Sequence, residues 1–136
     1  MAMAWMQGLA TGVTLIDEQH RNLFQKVNAL LDACRRGSGK DEISQVLDFL
    51  ADYTITHFRA EEGLMTLHKY PGIVAHKGLH AVFIGNIEKL RAQFEKEGAS
   101  PHVIISTNQV VVDWLMDHIR IEDSKVGALL RSKGVD

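Results

Sequence analysis

Hydrophobic residues recur at steps of three and four along most of the chain, a spacing that places them on one face of an α-helix. Four segments with this pattern are separated by breaks at residues 37–39, 70–72 and 98–101, which contain glycine or proline. The predicted helices run over residues 17–36, 41–68, about 71–97 and about 100–131. No stretch alternates as a strand does. The pattern predicts an all-α fold, an antiparallel up-down four-helix bundle with an N-terminal arm.

Residues at the predicted helix starts refine this picture. Asp17 is the expected N-cap of the first helix, and Ser100 followed by Pro101 is a typical helix start. Residues 1–16 carry no charge and no basic start, and polar residues interrupt them, so a secretory signal is disfavoured. We expect one domain over residues 1–136, with an arm over 1–16 that Trp5 pins to a bundle over 17–131.

Composition and charge exclude several classes of function. The chain has 136 residues, 15 Lys and Arg against 17 Asp and Glu, and a net charge of -2. This balance argues against nucleic-acid binding, which needs a basic face, and against an electrostatic membrane anchor. The single cysteine, Cys34, rules out a disulfide framework. With no apolar run long enough to span a bilayer, we expect a cytoplasmic protein without membrane contact.

Histidines are the informative residues, because five of the seven fall on the stripes predicted to face the core. These five are His20, His57, His76, His80 and His118. Glu61 follows His57 by four residues, and His80 follows His76 by four, so each pair projects to one side of its helix. A buried carboxylate needs a partner, and a metal cation that also binds neutral imidazoles supplies one.

The alternative for any single inward histidine is an ordinary hydrogen-bonded core residue. For five of them and a glutamate, that alternative requires many separate buried partners, and each unpaired group costs roughly 1–3 kcal/mol. Six donors also exceed the four ligands of a tetrahedral zinc site. Two metals that share bridging carboxylates fit better, as in helical bundles that hold paired irons. Cys34 lies far along the first helix from His20, which disfavours sulfur-ligated metals.

A set of motifs runs nearly from end to end of the chain: Trp5, Ile16-Asp17-x-x-His20, His57-Phe58-x-x-Glu61-Glu62-x-x-Met65, Tyr70-Pro71, His76-x-x-x-His80, Trp114 and His118-Ile119-x-x-x-Asp123. Taken together, these motifs resemble those of the hemerythrins, specifically the bacterial hemerythrin-like domains. This resemblance implies two non-haem iron ions with an oxo or hydroxo bridge and O2 as the ligand. One iron would take His76, His80 and His118, the other His20 and His57 with an open position, and Glu61 and Asp123 would bridge them.

Helix geometry alone does not select Asp123. It lies five residues after His118, about 140° around an ideal helix, whereas Glu122 at four residues points better. The resemblance favours Asp123, which would require a distortion such as a π-bulge in the fourth helix. Glu122 remains the alternative bridging residue. Glu62 does not share the face of His57, and we expect it to be solvated.

Apolar residues within a turn of these candidates have two interpretations. Core packing is the simpler one, and an O2 pocket that excludes water and anions is the one that the resemblance implies. We expect both roles for Leu23, Phe58, Trp114, Leu115 and Ile119. His68 and His102 match no ligand position and are interpreted as surface or capping residues.

The resulting functional hypothesis is reversible O2 binding by a protein that is not an enzyme, since a shell rich in neutral imidazoles favours binding over cleavage of the O–O bond. The sequence resembles the oxygen- or redox-sensing modules of bacterial signalling proteins, including C-terminal domains of chemotaxis receptors. The remainder of such a receptor would then be the signalling partner. The alternatives are a stand-alone O2 storage or delivery protein and a di-iron enzyme that detoxifies peroxide or NO.

Overall fold

The computed structural model describes residues 3–136 and confirms an all-helical bundle with an N-terminal arm. Three of the four long helices are regular: α1, Thr14–Arg35; α2, Lys40–Leu67; and α3, Ile73–Glu97. Consecutive helices pack side by side, and the fourth helix contacts α1, which closes the bundle. Residues 3–136 contain no strand, and no helix among them is long and apolar enough to cross a membrane.

The fourth helix alternates between α-helical and π-helical geometry. Its α-helical parts are Pro101–Thr107, Trp114–Asp117 and Ser124–Ser132. The π-helical turns between them are Asn108–Asp113 and His118–Asp123. A π-turn has a hydrogen bond from i to i+5, so residues five apart come onto the same face. His118 and Asp123 are both buried for this reason, in keeping with the distortion that a metal-binding Asp123 would require.

The start of α1 differs from the sequence-based expectation. The helix begins at Thr14, so the arm ends at Val13, and Asp17 lies inside the first turn rather than at the N-cap. Its carboxylate is nevertheless used, because it accepts hydrogen bonds from Thr11 N and Thr11 Oγ1 at 2.8 Å and from Gly12 N at 3.3 Å. Asp17 therefore binds the preceding arm and does not cap the helix, contrary to the sequence-based expectation.

The arm packs against α1 and the last part of the fourth helix. The Trp5 ring meets Phe24 edge-on with centroids 5.8 Å apart, and the Arg21 guanidinium lies 4.8 Å above Trp5. At its other end, the arm crosses Gly127, where a Cβ atom would lie only 2.6 Å from Thr11 O. Glycine is thus required at this crossing because only a hydrogen atom fits.

Buried apolar residues form two clusters with a polar layer between them. The larger cluster contains Leu23, Leu50, Phe83 and Ile119, and the smaller one contains Val13, Ile16, Met65, Val126 and Leu130. Each long helix passes from one cluster to the other, and at the crossing it carries histidine or a carboxylate. The candidate ligands therefore lie inside the bundle near one end, enclosed by hydrophobic residues on both sides.

Candidate metal centre

All seven sequence-predicted ligand residues meet in the polar layer. α1 supplies His20, α2 supplies His57 and Glu61, α3 supplies His76 and His80, and the fourth helix supplies His118 and Asp123. Each is at most 4% exposed, which is far below what is usual for charged residues. The three- and four-residue spacing that predicted the helices also directs the five histidines and Glu61 inward, and the π-helical turn brings Asp123 to the same layer.

The donor atoms form two groups that have two members in common. One group joins the imidazoles of His76, His80 and His118 to both carboxylates, and we call it the three-histidine group. The other joins His20 and His57 to the same carboxylates, and we call it the two-histidine group. Within each group the donor atoms lie within 4.8 Å of one another. Glu61 and Asp123 are therefore shared between two potential metal positions.

The two oxygens of each shared carboxylate face different groups. Glu61 Oε1 lies 2.6 Å from His76 Nε2, while Glu61 Oε2 lies 3.5 Å from His57 Nε2. Asp123 Oδ1 lies 3.2 Å from His118 Nε2, while Asp123 Oδ2 lies 3.0 Å from His20 Nε2. Separations of about 3 Å are what adjacent ligands of one ion show when each metal–ligand bond is roughly 2.1 Å. This is the arrangement that two bridging carboxylates require.

Hydrogen bonding within residues 3–136 leaves much of this layer unsatisfied. The buried atoms without a hydrogen-bond partner there include Nε2 of His20, His80 and His118, Glu61 Oε2 and both carboxylate oxygens of Asp123. Leaving such groups unpaired is costly, and native proteins keep them for a reason. Since all of these atoms can donate an electron pair and face one another, the donor set fits a pair of cations.

In the metal-free layer, neighbouring imidazoles lower the pKa values of both shared carboxylates. Burial raises the pKa of Asp123, but the imidazoles of His118 and His20 reverse this and hold it well below its usual range. Burial and the charge of Asp123 also raise the pKa of Glu61, yet the neighbouring imidazoles hold it below its ordinary value. Both carboxylates are therefore ionised, as metal ligands must be.

The pKa values of His57 and His76 shift in opposite directions. Burial lowers the pKa of His57 to about 4, so its imidazole is neutral and ready to bind a cation. Burial also lowers the pKa of His76, but the nearby carboxylates of Asp123 and Glu61, at 3.2 and 2.6 Å from His76 Nε2, outweigh it and raise the pKa to about 9. A metal that binds His76 must therefore displace a proton from the metal-free protein.

Sequence reasoning missed two residues at the outer edge of the layer. Gln19 Oε1 lies 2.7 Å from His57 Nδ1, and Glu62 Oε2 lies 2.7 Å from His80 Nδ1. The expectation that Glu62 is simply solvated is wrong, because this side chain is only 26% exposed and contacts a candidate ligand. A helical wheel shows which face a residue shares with its own helix, but it does not show what a neighbouring helix brings.

The predicted pocket residues lie around this layer. Leu23, Phe58, Leu115 and Ile119 are buried, whereas Trp114 is partly buried. The Phe58 ring stacks on the His80 imidazole at 3.7 Å, and the Trp114 ring stacks on that of His118 at 4.6 Å. Both aromatic stacks therefore involve the three-histidine group, whereas the resemblance implies that the open position for O2 belongs to the two-histidine group.

The remaining candidates lie outside the cluster. Glu122 is partly exposed, with Oε2 3.7 Å from Lys125 Nζ, and it lines a solvent-open groove of about 190 Å³ beside Trp114. His68 is the C-cap residue of α2, and His102 is exposed in the first turn of the fourth helix. None of these three belongs to either donor group, which agrees with the placement of His68 and His102 expected from the sequence.

An all-α bundle whose buried imidazoles form two groups around shared carboxylates defines a class, the dinuclear metal proteins of the four-helix type. Comparison with known proteins then gives the family. The family described as "Hemerythrin HHE cation binding domain" matches residues 11–130. The chain therefore belongs to the hemerythrin family, whose cofactor is a non-haem di-iron centre that binds O2.

Individual relatives agree with this assignment. The chain is 35% identical to a bacteriohemerythrin of Methylococcus capsulatus, covering 94% of this chain and 96% of the relative. It is 34% identical to a bacteriohemerythrin of Pseudomonas aeruginosa (strain UCBPP-PA14), over 90% and 77%, and 30% identical to myohemerythrin-1 of Phascolopsis gouldii, over 89% and 88%. The crystal structure of a wild-type hemerythrin superposes with a TM-score of 0.84 at 34% identity, covering 96% of this chain and 98% of that one.

Proposed function

We propose that this chain binds O2 reversibly at a di-iron centre whose ligands are the seven residues of the polar layer. The observation that carries the proposal is the division of each shared carboxylate, with one oxygen toward the three-histidine group and the other toward the two-histidine group. When bound, the iron pair supplies the electrons and the coordination position that O2 needs. The two-histidine group has one imidazole fewer, which supports placing that open position there.

Protein residues around the layer support binding rather than catalysis. Imidazoles outnumber carboxylates five to two in the cluster, so the negative charge of the protein ligands would neutralise two cations only in part. Leu23, Leu115 and Ile119 are at most 1% exposed. Such residues exclude water and leave O2, which is small and apolar, as the favoured occupant. We infer that this chain acts as a binder and not as an enzyme.

The direct test is the visible spectrum of the anaerobically reduced, iron-loaded protein before and after O2 is added. We expect an absorption band that appears with O2, disappears when O2 is removed and returns on a second addition. His57→Ala should abolish the band, whereas the matched change His68→Ala, at a histidine outside the cluster, should leave it intact. Immediate oxidation of the wild-type protein without a reversible band would exclude carriage and favour a redox sensor or a reductive enzyme.

Oxygen or redox sensing in a bacterial cytoplasmic signalling protein, such as a chemotaxis receptor, is the role that we propose for this binding. The supporting observation is the contact between the arm and the metal-bearing helix. Asp17 lies one turn before His20 on α1 and holds the arm at Thr11 and Gly12. A change in the position of His20 on ligand binding would therefore reach the arm through a single helical turn.

Limited proteolysis tests this role. Thermolysin is suitable, because residues 3–13 contain apolar sites and no lysine or arginine. We expect the rate of cleavage in the arm to depend on O2 in the wild-type protein and to lose that dependence in Asp17→Ala. Equal rates with and without O2 in the wild-type protein would contradict transmission through the arm.

Storage or delivery by a stand-alone protein is the second candidate. It is supported by the similarity to the Methylococcus capsulatus bacteriohemerythrin, at 35% identity. An O2-dependent band combined with O2-independent proteolysis would support this candidate over sensing.

A further inference from the structure

The outer nitrogens of two candidate ligands have chemically different partners. In the three-histidine group, His80 Nδ1 faces the carboxylate of Glu62 at 2.7 Å. In the two-histidine group, His57 Nδ1 faces the carboxamide oxygen of Gln19 at the same distance. The inner Nε2 atoms of both rings point to Glu61, at 3.3 Å from His80 and 3.5 Å from His57. The two imidazoles thus both direct Nε2 toward Glu61, and they differ in the charge of the group that contacts Nδ1.

We propose that Glu62 and Gln19 are positioning residues that make the two halves of the metal centre electronically unequal. This inference rests on the proposed di-iron function. The Glu62 carboxylate accepts the Nδ1 proton of His80 in a charge-assisted hydrogen bond, which increases electron donation from Nε2. The Gln19 carboxamide accepts the corresponding proton of His57 without a charge. The three-histidine half is therefore stabilised in its oxidised state, and the two-histidine half is the more easily reduced.

Packing around His80 supports a defined role for Glu62. Phe58 lies one turn before Glu62 on α2 and stacks on the His80 ring at 3.7 Å with an interplanar angle of 1°. The ring is consequently held on its face by Phe58 and at its outer nitrogen by Glu62. Because both contacts come from one helix, they fix the position of the ring and its tautomer together, with Nε2 free to bind a metal.

Hydrogen-bonding requirements also explain why a carboxamide side chain is suitable at position 19. The Nδ1–H of a neutral imidazole needs an acceptor, and a glutamine offers one together with a donor group that solvent can satisfy. Gln19 is partly buried at the edge of the bundle. The position therefore orients His57 without adding a further negative charge to the carboxylates of Glu61, Asp123 and Glu62.

Exchanging the two partners gives the sharpest test, because Glu62→Gln and Gln19→Glu preserve shape and change only charge. Each iron-loaded variant would be titrated anaerobically with redox mediators, without O2. We expect Glu62→Gln to raise the ratio of reduced to oxidised centre at a fixed potential by roughly five- to tenfold, the difference between a charged and a neutral hydrogen bond. Gln19→Glu should lower the ratio. Glu18→Gln, an exposed site on α1, is the control and should leave it unchanged.

Iron affinity, measured with the iron held in its reduced state, supplies a second readout that is separate from the redox titration. Glu62→Ala removes the hydrogen bond as well as the charge and should weaken iron binding by roughly 10–100-fold in competition with a chelator. Glu62→Gln should restore most of that affinity while keeping the altered redox ratio. We assign the orientation of His80 to the hydrogen bond and the redox difference to the charge. If Glu62→Gln restored both the iron affinity and the redox ratio, or neither of them, this assignment would be wrong.

The outcomes separate this inference from the proposed function. If the wild-type protein binds two irons but shows no O2-dependent band, O2 binding fails, and the redox comparison among variants still decides the inference. If the variants retain iron and their redox ratios match the wild-type value, the inference is wrong whatever O2 does. Should one exchanged variant fail to fold, the other tests the same claim from the opposite sign of charge.

Discussion

The larger apolar cluster, which we call the apolar end of the bundle, and the polar layer, which we call the metal layer, lie on the same helices. They are stabilised in different ways. On α2, Leu47 and Leu50 lie in the larger apolar cluster, and His57 and Glu61 lie in the layer, which begins about two turns beyond Leu50. The first pair is satisfied by contact with other side chains. The second pair contains atoms that hydrogen bonds within residues 3–136 leave unpaired.

This difference shows that the two regions answer to different physical requirements. Apolar burial contributes about 25 cal/mol per Å² of surface and tolerates any well-packed side chain of the right volume. A buried carboxylate is tolerated only when specific partners surround it. The apolar end therefore makes the bundle stable, and the layer gives up part of that stability for a binding site.

Removing a shared ligand should have the largest effect on the metal layer. Glu61 belongs to both donor groups, so Glu61→Ala should lower the bound iron from two ions per chain to nearly none. The rise in melting temperature that iron confers should vanish with it, because binding to the native state is what produces that rise. Elemental analysis and calorimetry measure both effects.

The control for this prediction is Glu18→Ala, which removes an exposed carboxylate from α1. It should leave two irons per chain. Retention of one iron in Glu61→Ala would contradict the view that this carboxylate is essential to both positions.

Creating a cavity at the apolar end should have the largest effect on stability. Leu50 is fully buried, so Leu50→Ala should lower the free energy of unfolding by about 2–5 kcal/mol. Its neighbour Phe49 is 58% exposed, and Phe49→Ala should change stability by less than about 0.5 kcal/mol. Urea denaturation compares the two variants. Iron content per folded chain should be normal in both, and its loss in Leu50→Ala would show that the regions are more strongly coupled than we expect.

The pH dependence of the metal-free protein should reflect the layer alone. Burial lowers the pKa of His57 from 6.5 to about 4. As the pH falls through this range, His57 is therefore protonated in the unfolded chain but stays neutral in the folded chain. Stability should therefore fall by about 3 kcal/mol between pH 6.5 and 4 on this account. The pKa of His76 is raised from 6.5 to about 9, and the stability that it contributes below pH 6.5 should be lost as the pH rises to 9.

Denaturation of the metal-free protein at several pH values measures this behaviour, with maximum stability expected near pH 6.5. His57→Phe should flatten the limb between pH 6.5 and 4, because it removes the imidazole that titrates in this range, while leaving the alkaline limb. A profile that falls with acid equally in both proteins would assign that limb to other groups.

The smallest effect is expected at a helix terminus remote from this comparison. Ser100 Oγ accepts a hydrogen bond from Val103 N at 3.2 Å and caps the fourth helix. Ser100→Ala should lower the free energy of unfolding by about 1 kcal/mol, with iron binding unchanged. Ser106→Ala, inside the same helix, serves as the control and should be close to neutral.

Periodicity and spacing predicted most of this molecule because they depend on local geometry. Three- and four-residue steps indicated the four helices, and the same steps placed five histidines and Glu61 on inward faces. A helix positions its side chains by rotation alone, so no knowledge of the neighbouring helices is needed for this part of the prediction. The resemblance to hemerythrins, carried by the same residues, then indicated the family that the comparisons show.

What the sequence by itself determined is therefore the set of helices and the residues that each one turns toward the core. Tertiary structure decided what lies across the gap between helices and how the fourth helix deviates from ideal geometry. Ideal geometry favoured Glu122, and the π-turn over His118–Asp123 instead places Asp123 in the cluster. Likewise Glu62 faces His80 because packing brings α2 and α3 together, and Asp17 binds Thr11 and Gly12 because of the conformation that the arm adopts just before α1.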